Sequence, residues 1–447
     1  MSSAGLVMPT RILVVGGGGR EHALAWKLAA EPGVNEVIVA PGSYAIATEP
    51  RVRRLPAVDP LDVADVVAVA RHEAVELVVI GPEAPLALGV ADALAEAGIA
   101  VFGPTAGAAR IETSKAFCHE IAAAAGVPMA RSAIVERGDA STARAFARAM
   151  LAESGGVVVK VDGLAAGKGV TIAATLDEAE AGIEVAIAEG PVVIEEWLDG
   201  REASLIAICD GRGALALPIA RDHKRLADFD RGPNTGGMGA YSPLPDLSDD
   251  GADELLDRFH RPILAELARR KTPFRGALYA GLMLTDRGPV LLECNARFGD
   301  PEAQVILPRL AAPLGPVLLA AAKGRLREAT RPLRITDSRF PTLPGASLGV
   351  VLAAAGYPDA PRAGDAIEGL HAARTTGALV FHAATARDED GGFRTAGGRI
   401  LTIVGRGADV AAARMQAETA ANLVSFDGLH RRHDIGLDVP AGMVASA

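Results

Sequence analysis

The N-terminal quarter of this 447-residue chain alternates between short apolar segments and longer helix-forming segments. The apolar segments are RILVV, NEVIVA, ELVVI and IAVF, and between them lie REHALAWKLAAE, DVADVVAVARHE and LALGVADALAEA. Short apolar runs that alternate with helical patterns are typical of strands in a parallel sheet. The alternation therefore predicts a doubly wound parallel sheet, and we place this α/β domain at residues 11–112.

The pattern changes after residue 112. A helix is expected at TSKAFCHEIAAAAG, starting at Thr113 or Ser114, and strands at VVVK, VTIAAT, PVVIEEWL and EASLIAICDG. The segment RDHKRLADFDRGPNTGGMGAYSPLP, at 221–245, has no apolar period, and we expect a long irregular loop there. A helix, DELLDRFHRPILAELARR, and a hairpin, ALYAGLMLTDRGPVLLECN, follow. We expect an α+β domain at 113–328 and a small α+β domain at 329–447.

Charge and cysteine content exclude several classes of protein. The formal net charge is −10, whereas proteins that bind nucleic acid regardless of sequence carry a basic surface. The cysteines Cys118, Cys209 and Cys294 are far apart and suggest neither a zinc site nor a disulfide framework. No apolar stretch approaches the ~18 uninterrupted residues of a membrane helix. We expect a cytoplasmic protein that binds neither nucleic acid nor membrane, with an unstructured leader before Arg11.

The segment VVVKVDGLAAGKGV, at 157–170, has the composition of a phosphate-binding loop but not its pattern. A P-loop needs G-x-x-x-x-G-K, then Ser or Thr, then a helix. Here Gly163 and Gly167 are one residue too close, Gly169 takes the place of the hydroxyl residue, and a strand-like run follows. Lys160 and Lys168 are the candidate phosphate ligands. Judged alone, the segment is better explained as an ordinary glycine-rich hairpin.

The turn GGGGREHA, at 16–23, lies between a strand and a helix, where backbone N–H groups favour an anion. It does not fit the dinucleotide fingerprint, because Glu21 replaces the third glycine and Ala40 stands where an acidic residue would hold the ribose. A nicotinamide-dependent oxidoreductase is therefore excluded. Two interpretations remain open, a site for a smaller phosphate ligand with Arg20 as an added cation, or a tight turn that needs small residues.

The segment LLECNARFGDPE, at 291–302, indicates a metal site. Glu293 and Asn295 are two residues apart on a predicted strand, so their side chains share a face. A carboxylate and an amide oxygen suit Mg²⁺, which commonly bridges to substrate phosphates. Arg297 comes next on that face, and its guanidinium can bind phosphoryl or carboxylate oxygens. The alternative is an exposed strand face with alternating polar residues.

The segment PVVIEEWLDGREAS, at 191–204, is a candidate adenine site. Its strand ends in Glu195 and Glu196, followed by Trp197 and Leu198, and the backbone there can bind an adenine edge. Glu202 is placed to hold ribose hydroxyls. The alternative is a strand with an exposed acidic end. The glycine-rich segment GPNTGGMGAYSP, at 232–243, is a candidate to close over a substrate, whereas RDHKR alone would be a solvated charge cluster.

Taken together, the motifs resemble one family. In chain order they are REHALAWK, GPEAPL, FGPTAGAA, SKAF, KVDGLAAGKGV, EEWLDGREAS, DHKR, GPNTGGMGAYSP and NARFGDPE. From Arg11 to Gly436 the chain resembles the phosphoribosylamine–glycine ligases (glycinamide ribonucleotide synthetases) of the ATP-grasp superfamily. The resemblance implies an α/β and α+β multidomain protein, in which an N-terminal doubly wound parallel sheet precedes a central ATP-grasp fold and a small C-terminal α+β domain. A mobile lid is implied at 132–202.

The resemblance also implies an activity, in which ATP, glycine and 5-phosphoribosylamine give glycinamide ribonucleotide, ADP and phosphate in purine biosynthesis. The glycine carboxylate attacks the γ-phosphoryl group, and the amine then attacks the glycyl phosphate. This chemistry depends on positioning and charge neutralisation and needs no nucleophilic side chain. The implied metal is Mg²⁺ or Mn²⁺, ATP is a co-substrate, and the implied state is a monomer or weak homo-oligomer that acts on small molecules.

Site residues are carried over from the same resemblance. Those implied to bind ATP are Lys115, Lys160, Gly163, Gly167, Lys168, Gly169, Glu195, Glu196, Trp197, Leu198 and Glu202. Those implied to bind the other substrates are Gly17, Gly18, Gly19, Arg20, Glu21, His22, Pro41, Gly42, Glu83, Asp222, His223, Lys224, Arg225, Asn234, Gly236, Gly237, Met238, Gly239 and Arg297. Glu293 and Asn295 are implied to hold the metal, and Arg297, Lys160 and Asp222 to act in catalysis.

The sequence departs from the family pattern at three places. Ser43, Tyr44 and Ala45 replace an Asn-x-Gly segment beside the expected ribose-phosphate pocket. The strand YAGLML carries no carboxylate for a second magnesium ion, and His119 takes the place of a frequent lysine. These departures leave the detailed contacts of the pocket and the second metal open.

Two other functions are weighed against this one. One is another ATP-grasp ligase of purine biosynthesis, of the carboxyaminoimidazole ribonucleotide synthetase type, and the DHKR and GPNTGGMG segments oppose it. The other is a catalytically silent nucleotide sensor, which the presence of Lys160, Glu293, Asn295 and Arg297 opposes.

Overall fold

The computed structural model describes residues 6–164, 169–247, 249–333, 335 and 338–437. The N-terminal unit contains the strands Arg11–Gly16 (β1), Glu36–Pro41 (β2), Val52–Arg54 (β3), Leu77–Ile80 (β4) and Val101–Phe102 (β5), and the helices Gly19–Ala29 (α1), Val63–His72 (α2), Glu83–Ala87 (α3), Val90–Glu96 (α4) and Ala106–Thr113 (α5). Its sheet has the order β3-β2-β1-β4-β5, and every neighbouring pair is parallel. The predicted doubly wound sheet is confirmed, with β3 as a strand that the sequence pattern did not indicate.

A helix at Lys115–Ala124 (α6) leads into a small unit that we call the lid. Ser114 caps α6 by accepting a hydrogen bond from the Phe117 N–H, as the sequence allowed. The lid elements are Ser132–Val135 (β6), Ala140–Ser154 (α7), Val157–Val161 (β7), Val170–Ala173 (β8), Leu176–Glu189 (α8) and Val192–Glu196 (β9). Its antiparallel sheet, in the order β6-β9-β7-β8, packs on both helices around an apolar core of its own.

The central unit follows the lid. Its strands are Arg201–Asp210 (β10), Ala214–Ala216 (β11), Arg221–Asp222 (β12), Arg225–Ala227 (β13), Arg231–Asn234 (β14), Gly239–Ser242 (β15), Arg275–Thr285 (β16) and Gly288–Asn295 (β17). Its helices are Asp249–Leu255 (α9), Arg261–Arg269 (α10), Glu302–Ile306 (α11), Gly315–Ala322 (α12) and Leu326–Thr330 (α13). The main sheet is antiparallel, with the order β11-β10-β16-β17.

The C-terminal unit contains the strands Ala346–Ala353 (β18), Ala366–Ile367 (β19), Leu379–His382 (β20), Thr385–Arg387 (β21), Phe393–Thr395 (β22) and Arg399–Gly407 (β23), and the helices Leu370–Thr375 (α14) and Val410–Ala421 (α15). Its larger sheet has the order β12-β15-β18-β23-β20. Two strands of this sheet, β12 and β15, therefore come from the middle of the chain.

The prediction of an irregular loop at 221–245 is wrong, because this segment contains four short strands. β13 and β14 form a hairpin, whereas β15 pairs with β18, more than a hundred residues further along the chain. Local periodicity cannot reveal a strand whose partner is so distant. As a result, both ends of this segment are fixed to the C-terminal unit.

Buried apolar residues outside the lid form two continuous clusters, each of which crosses between the N-terminal, central and C-terminal units. The lid core is a separate cluster. These units therefore share cores with one another, and the lid does not share one with them. No helix among the described residues is long and apolar enough to cross a membrane.

Candidate active site

A cavity of about 1100 Å³ opens where the lid, the central sheet, the N-terminal unit and the segment at 221–236 meet. Most predicted site residues lie in its wall: Arg20, Glu83, Lys115, Lys160, Gly163, Gly169, Glu195, Glu196, Trp197, Leu198, Glu202, Asp222, His223, Lys224, Arg225, Asn234, Gly236, Glu293, Asn295 and Arg297. The fold thus collects into one cavity residues that are spread from Arg20 to Arg297.

The other predicted residues lie outside the cavity wall or outside the described residues. The first group is Gly17, Gly18, Gly19, Glu21, His22, Pro41, Gly42, Gly237, Met238 and Gly239. Gly167 and Lys168, in the predicted phosphate-binding segment, lie outside the described residues. The roles of all of these residues in substrate binding stay predictions.

Lys160 is held by a buried acidic partner. It lies on β7, 8% exposed, and its Nζ is 2.7 Å from Glu195 Oε2 and donates to the Leu292 carbonyl at 3.2 Å. Glu195, 2% exposed, also bonds His119 Nε2 through Oε1, at 2.8 Å. Burial by itself raises the pKa of Glu195, but Lys160 and His119 outweigh it and keep this pKa below its usual value. The Glu195 side chain therefore fixes the lysine.

The alternation of β9 separates its two terminal carboxylates. Glu196 faces away from Lys160 and bonds Arg131, whose side chain is largely exposed. His119, one of the departures from the family pattern, takes part in the buried network, and Ser132 Oγ bonds its Nδ1 at 3.0 Å. The His119 imidazole thus helps to fix Glu195, the carboxylate that holds Lys160.

The glycine-rich hairpin is tied to the start of α6. Lys115 Nζ donates to the Gly163 carbonyl at 2.7 Å, and Gly163 has a φ of +127°, which favours glycine. Burial, with the charge of Lys160, lowers the pKa of Lys115. Apolar side chains line the adjoining part of the cavity, from Met129, Val158, Ile172, Leu198 and Leu292. Two lysines thus border an apolar slot suited to a flat ring.

An acidic face on the central sheet lies opposite the lysines. The register aligns Ser204 with Gly281 and Gly281 with Glu293, so these three positions share one face of the sheet. Glu202 and Asn295 lie two residues from Ser204 and Glu293 and therefore point the same way. A Cβ at Gly281 would lie 3.2 Å from the Glu293 Cγ, so glycine keeps the middle of the face open.

Lys224 contacts two carboxylates of this face. Its Nζ lies 3.0 Å from Glu202 Oε2 and 3.5 Å from Glu293 Oε1. Burial lowers the pKa of Lys224, but Glu202 and Glu293 outweigh burial and raise it well above its usual value. The ammonium of Lys224, more than any other cause, lowers the pKa of Glu293 to about 2.

Two buried acidic side chains, Asp222 and Glu302, lie near this face. Asp222 is 8% exposed, and its Oδ1 has no hydrogen-bond partner. Burial raises its pKa well above the usual value, and the charge of Glu302 adds to this although Lys224 opposes it. Glu302 accepts a hydrogen bond from Ser204 Oγ at 3.1 Å. Asp222 thus lies in the cavity wall with one buried oxygen that accepts no hydrogen bond from the described residues.

No three carboxylate, imidazole or thiol groups among the described residues converge closely enough to hold a metal ion by themselves. Glu293 and Asn295 supply two oxygen donors on one face, and Mg²⁺ characteristically completes its shell with water and substrate phosphates. The donors present therefore fit a metal that arrives with a nucleotide rather than a permanently bound ion.

Arg297 is held between two carboxylates at the N-terminal side of the cavity. Its NH2 group lies 3.0 Å from Glu112 Oε1, and its Nε lies 3.4 Å from Glu83 Oε2. Glu112 also accepts the Ala296 N–H at 2.6 Å. Burial raises the pKa of Glu112, whereas for Glu83 the charges of Arg297 and Arg20 outweigh burial and lower the pKa. The guanidinium thus faces the cavity in a fixed orientation.

The glycine turn already contains an anion of its own. The Gly18 N–H donates to Glu21 Oε2 at 2.7 Å, and Arg20 Nε lies 2.6 Å from Glu21 Oε1. Glu21 therefore stands where a dinucleotide fold has its third glycine and caps the start of α1. A ligand phosphate at this turn would have to use the remaining N–H groups beside Gly17 and Gly42, whose backbones approach closely.

Two other predicted features near this turn contact the C-terminal unit. His22 is fully buried, bonds Glu49 at 3.2 Å and accepts the His382 N–H through Nδ1 at 2.9 Å. Tyr44, a departure from the family pattern, has the Arg54 guanidinium 3.6 Å from its ring centroid and the Arg387 guanidinium of β21 at 5.7 Å. His22 thus connects α1 to the C-terminal unit.

The C-terminal segment holds the tip of the β13–β14 hairpin. Phe229 and Asp230 both have positive φ, of 59° and 51°, a strained arrangement for residues other than glycine. Asp434 accepts the Phe229 N–H at 2.7 Å, and Arg432 donates to Asp230 at 2.7 Å. Arg432 is itself 1% exposed and also bonds Asp434 through two nitrogens. These charged contacts stabilise the strained tip at the mouth of the cavity.

Among the residues of the site that sequence reasoning missed are Glu112, Glu302 and Arg432. Glu302 closes the quoted motif NARFGDPE, and its position beside the metal candidates was the available signal. Glu112 precedes the SKAF motif and meets Arg297 only through the fold, and Arg432 lies in a segment without a recognisable pattern. For these two, no local signal existed.

Family models match nearly the whole chain. The N domain of phosphoribosylglycinamide synthetase matches residues 10–112, its ATP-grasp (A) domain residues 113–303, and its C domain residues 347–438. The chain is 48% identical to the phosphoribosylamine–glycine ligase of Streptomyces coelicolor, over 95% of this chain and 98% of that protein. It is 44% identical to that of Phenylobacterium zucineum, with the same coverage.

Solved structures show the same relationship. The phosphoribosylamine–glycine ligase of Thermotoga maritima, 33% identical, covers 95% of this chain with a TM-score of 0.74, and all of that chain is matched. Biotin carboxylase from Campylobacter jejuni, with a TM-score of 0.66, covers 95% and 93% of the two chains, and its 14% identity shows a shared fold alone. On the sequence matches, the three family models and this fold, the chain belongs to the phosphoribosylamine–glycine ligase family.

Proposed function

We propose that this protein ligates glycine to 5-phosphoribosylamine, with ATP converted to ADP and phosphate through a glycyl phosphate intermediate. The observation that carries the proposal is the arrangement of the cavity. Lys115, Lys160 and an apolar slot lie at one end, Glu293 and Asn295 line the middle, and Arg297 faces the N-terminal unit. The names of the relatives point to the substrates, and this arrangement supports the assignment of each to a part of the cavity.

The first step joins two anions, and the cations of the cavity make their approach possible. Lys115 and Lys160 are fixed beside the apolar slot, where they can neutralise the triphosphate of ATP. Mg²⁺ or Mn²⁺, held by Glu293 and Asn295, would neutralise further phosphate charge when the nucleotide binds. Arg297 lies where it can orient the glycine carboxylate, because Glu112 and Glu83 fix its guanidinium.

The second step needs the amine to reach the acyl phosphate from the side of the N-terminal unit. Arg20 and Glu83 lie on that side of the cavity, so the sugar phosphate and its amine are assigned there. We assign closure over both sites to a lid at 132–202, which is part of the domain at 113–328; the other two domains are placed at 11–112 and 329–447. A separate apolar core in the lid supports a unit that moves as a body, and closure would exclude water from the acyl phosphate.

The proposed reaction is tested by its substrate requirements. Purified protein should release phosphate from ATP only when glycine and freshly generated phosphoribosylamine are both present. Bicarbonate is the informative replacement for glycine, because a biotin carboxylase of the same fold has been solved with bicarbonate and MgADP. Equal turnover with bicarbonate would refute the glycine assignment. Nucleotide binding without turnover under any condition would favour a silent sensor.

The metal assignment is tested by Glu293→Ala. Loss of this carboxylate should abolish turnover that depends on Mg²⁺ or Mn²⁺ while circular dichroism shows an intact fold, because the side chain lies in the cavity wall. Full activity at ordinary magnesium concentrations would show that the metal is held elsewhere.

We further propose a monomer or weak homo-oligomer in the cytoplasm, acting on these small molecules.

A further inference from the structure

The Lys224 ammonium joins carboxylates from two strands that are not neighbours. Glu202 lies on β10 and Glu293 on β17, and both strands pair with β16. The ammonium lies 3.0 Å from the Glu202 carboxylate and 3.5 Å from the Glu293 carboxylate, and Gly281 of β16 leaves open the face between them. A single cation thus neutralises part of both charges.

One lysine does not balance this face. Asp222 and Glu302, both almost fully buried, add their carboxyl groups, and Asp222 Oδ1 has no hydrogen-bond partner. This unpartnered oxygen is an observation separate from the two ion pairs of Lys224. Glu202 and Glu293 are two carboxylates against one ammonium, so this pair can still attract a further cation.

The backbone of Lys224 is fixed, whereas its side chain is free to change conformation. Its carbonyl accepts both the N–H and the Oγ1 of Thr235, at 2.7 and 2.8 Å, so the main chain is fixed. Its side chain is 27% exposed and lies in the cavity wall. A long flexible stem on a fixed backbone lets the ammonium leave one partner and reach another.

We propose that the Lys224 ammonium is a resident cation, which occupies the gap between Glu202 and Glu293 until a metal–nucleotide displaces it. The inference rests on the proposed function for assigning Glu293 to the metal and Glu202 to the ribose. A metal ligated by the same Glu293 oxygen, at roughly 2.1 Å, would lie within about 6 Å of the ammonium and repel it. Once displaced, the ammonium remains tethered within the cavity wall, because Thr235 fixes the Lys224 backbone.

Mn²⁺ alone, without nucleotide, tests the proposal, because free Mn²⁺ can be measured by electron paramagnetic resonance. Lys224→Met should bind Mn²⁺ at least about tenfold more tightly than the unaltered protein, since the metal no longer competes with an ammonium. Lys224→Gln is a second neutral variant in case the first folds poorly. Lys224→Arg keeps the charge and should leave the affinity near that of the unaltered protein.

Lys115→Met is the matched control. It removes a lysine charge from the same cavity, but Lys115 donates to the Gly163 carbonyl and contacts neither carboxylate. This variant should change the affinity for Mn²⁺ by less than about threefold. An unchanged or weaker affinity in the neutral Lys224 variants, or an equal gain in Lys115→Met, would overturn the proposal.

The outcome separates this inference from the proposed reaction. A protein that shows the Mn²⁺ effect but releases no phosphate with glycine and phosphoribosylamine keeps the resident cation and loses the reaction. A protein that performs the reaction without the Mn²⁺ effect loses the resident cation and keeps the reaction.

Discussion

The ion pair between Lys160 and Glu195 predicts a loss of stability when the Glu195 charge is removed. Glu196, the next residue of the strand, serves as the control, because it pairs with Arg131 instead. In Glu195→Gln the shape of the side chain is kept and its charge is removed. Lys160 is 8% exposed and would keep only neutral oxygens near its ammonium, from the new amide and the Leu292 carbonyl. The variant therefore measures how much the buried charge contributes.

The size of the effect follows from the distance and the burial. At 2.7 Å, the Coulomb attraction is ~6 kcal/mol with an effective dielectric constant of about 20. Breaking a buried pair by removing one partner typically costs about 3–5 kcal/mol. Because glutamine keeps a hydrogen-bond acceptor, we expect a free energy of unfolding lower by about 3 kcal/mol.

Glu196→Gln changes the adjacent carboxylate, which faces the other side of β9 and pairs with the largely exposed Arg131. Glu196→Gln should lower the free energy of unfolding by only a small fraction of the loss in Glu195→Gln, because ion pairs with an exposed partner contribute little to stability. The assay is urea unfolding followed by tryptophan fluorescence, to which Trp26 and Trp197 both contribute. Equal losses of stability in the two variants would refute the reasoning. In turnover assays, Glu195→Gln should also raise the KM for ATP, because Lys160 is no longer fixed.

Three further predictions concern other parts of the structure. Burial lowers the pKa of His260 from 6.5 to about 4, so between these pH values the unfolded chain binds more protons than the folded protein. The stability that comes from keeping His260 neutral is therefore complete above pH 6.5, and it falls by about 3 kcal/mol as the pH drops to 4. Urea midpoints at pH 7.5 and 5 should therefore converge in His260→Gln, and an unchanged pH dependence would contradict this. Glu112→Gln should lower kcat at least about tenfold with an unchanged KM for ATP, since Glu112 positions Arg297 at the far side of the cavity; a raised KM for ATP with unchanged kcat would count against that role. Arg432→Met and Asp434→Asn should each raise the KM for glycine, because both side chains hold the tip of the β13–β14 hairpin at the cavity. The two residues also bond each other, so steady-state kinetics of the double variant should show less than the sum of the two effects.

Much of the site could be predicted because its residues occur in short patterns. The two-residue spacing of Glu293 and Asn295 on an apolar strand already placed both side chains on one face. The β-α-β alternation likewise determined the parallel sheet, since buried parallel strands are continuous apolar runs. In these cases the physical cause lies within a few neighbouring residues.

The remaining features depend on contacts between distant parts of the chain. Glu195 was assigned to the adenine by its position, and only the fold shows that its side chain holds Lys160. Glu112 reaches Arg297 across 185 residues, which no local period can indicate. Similarly, Glu21 was used to reject a dinucleotide site, but that it occupies the Gly18 N–H follows only from the geometry of the turn.

The sheet that joins β12 and β15 to the C-terminal strand β18 has a consequence for synthesis of the protein. During translation, the segment that carries Asp222 and Lys224 emerges long before β18, its neighbour in the sheet, and before Arg432. The nascent chain can therefore complete its N-terminal sheet early, but β15 gains its partner β18 and Asp230 gains Arg432 only after the C-terminal unit has emerged. A chain released before β18 would keep the strands of the central sheet but would lack both of these contacts.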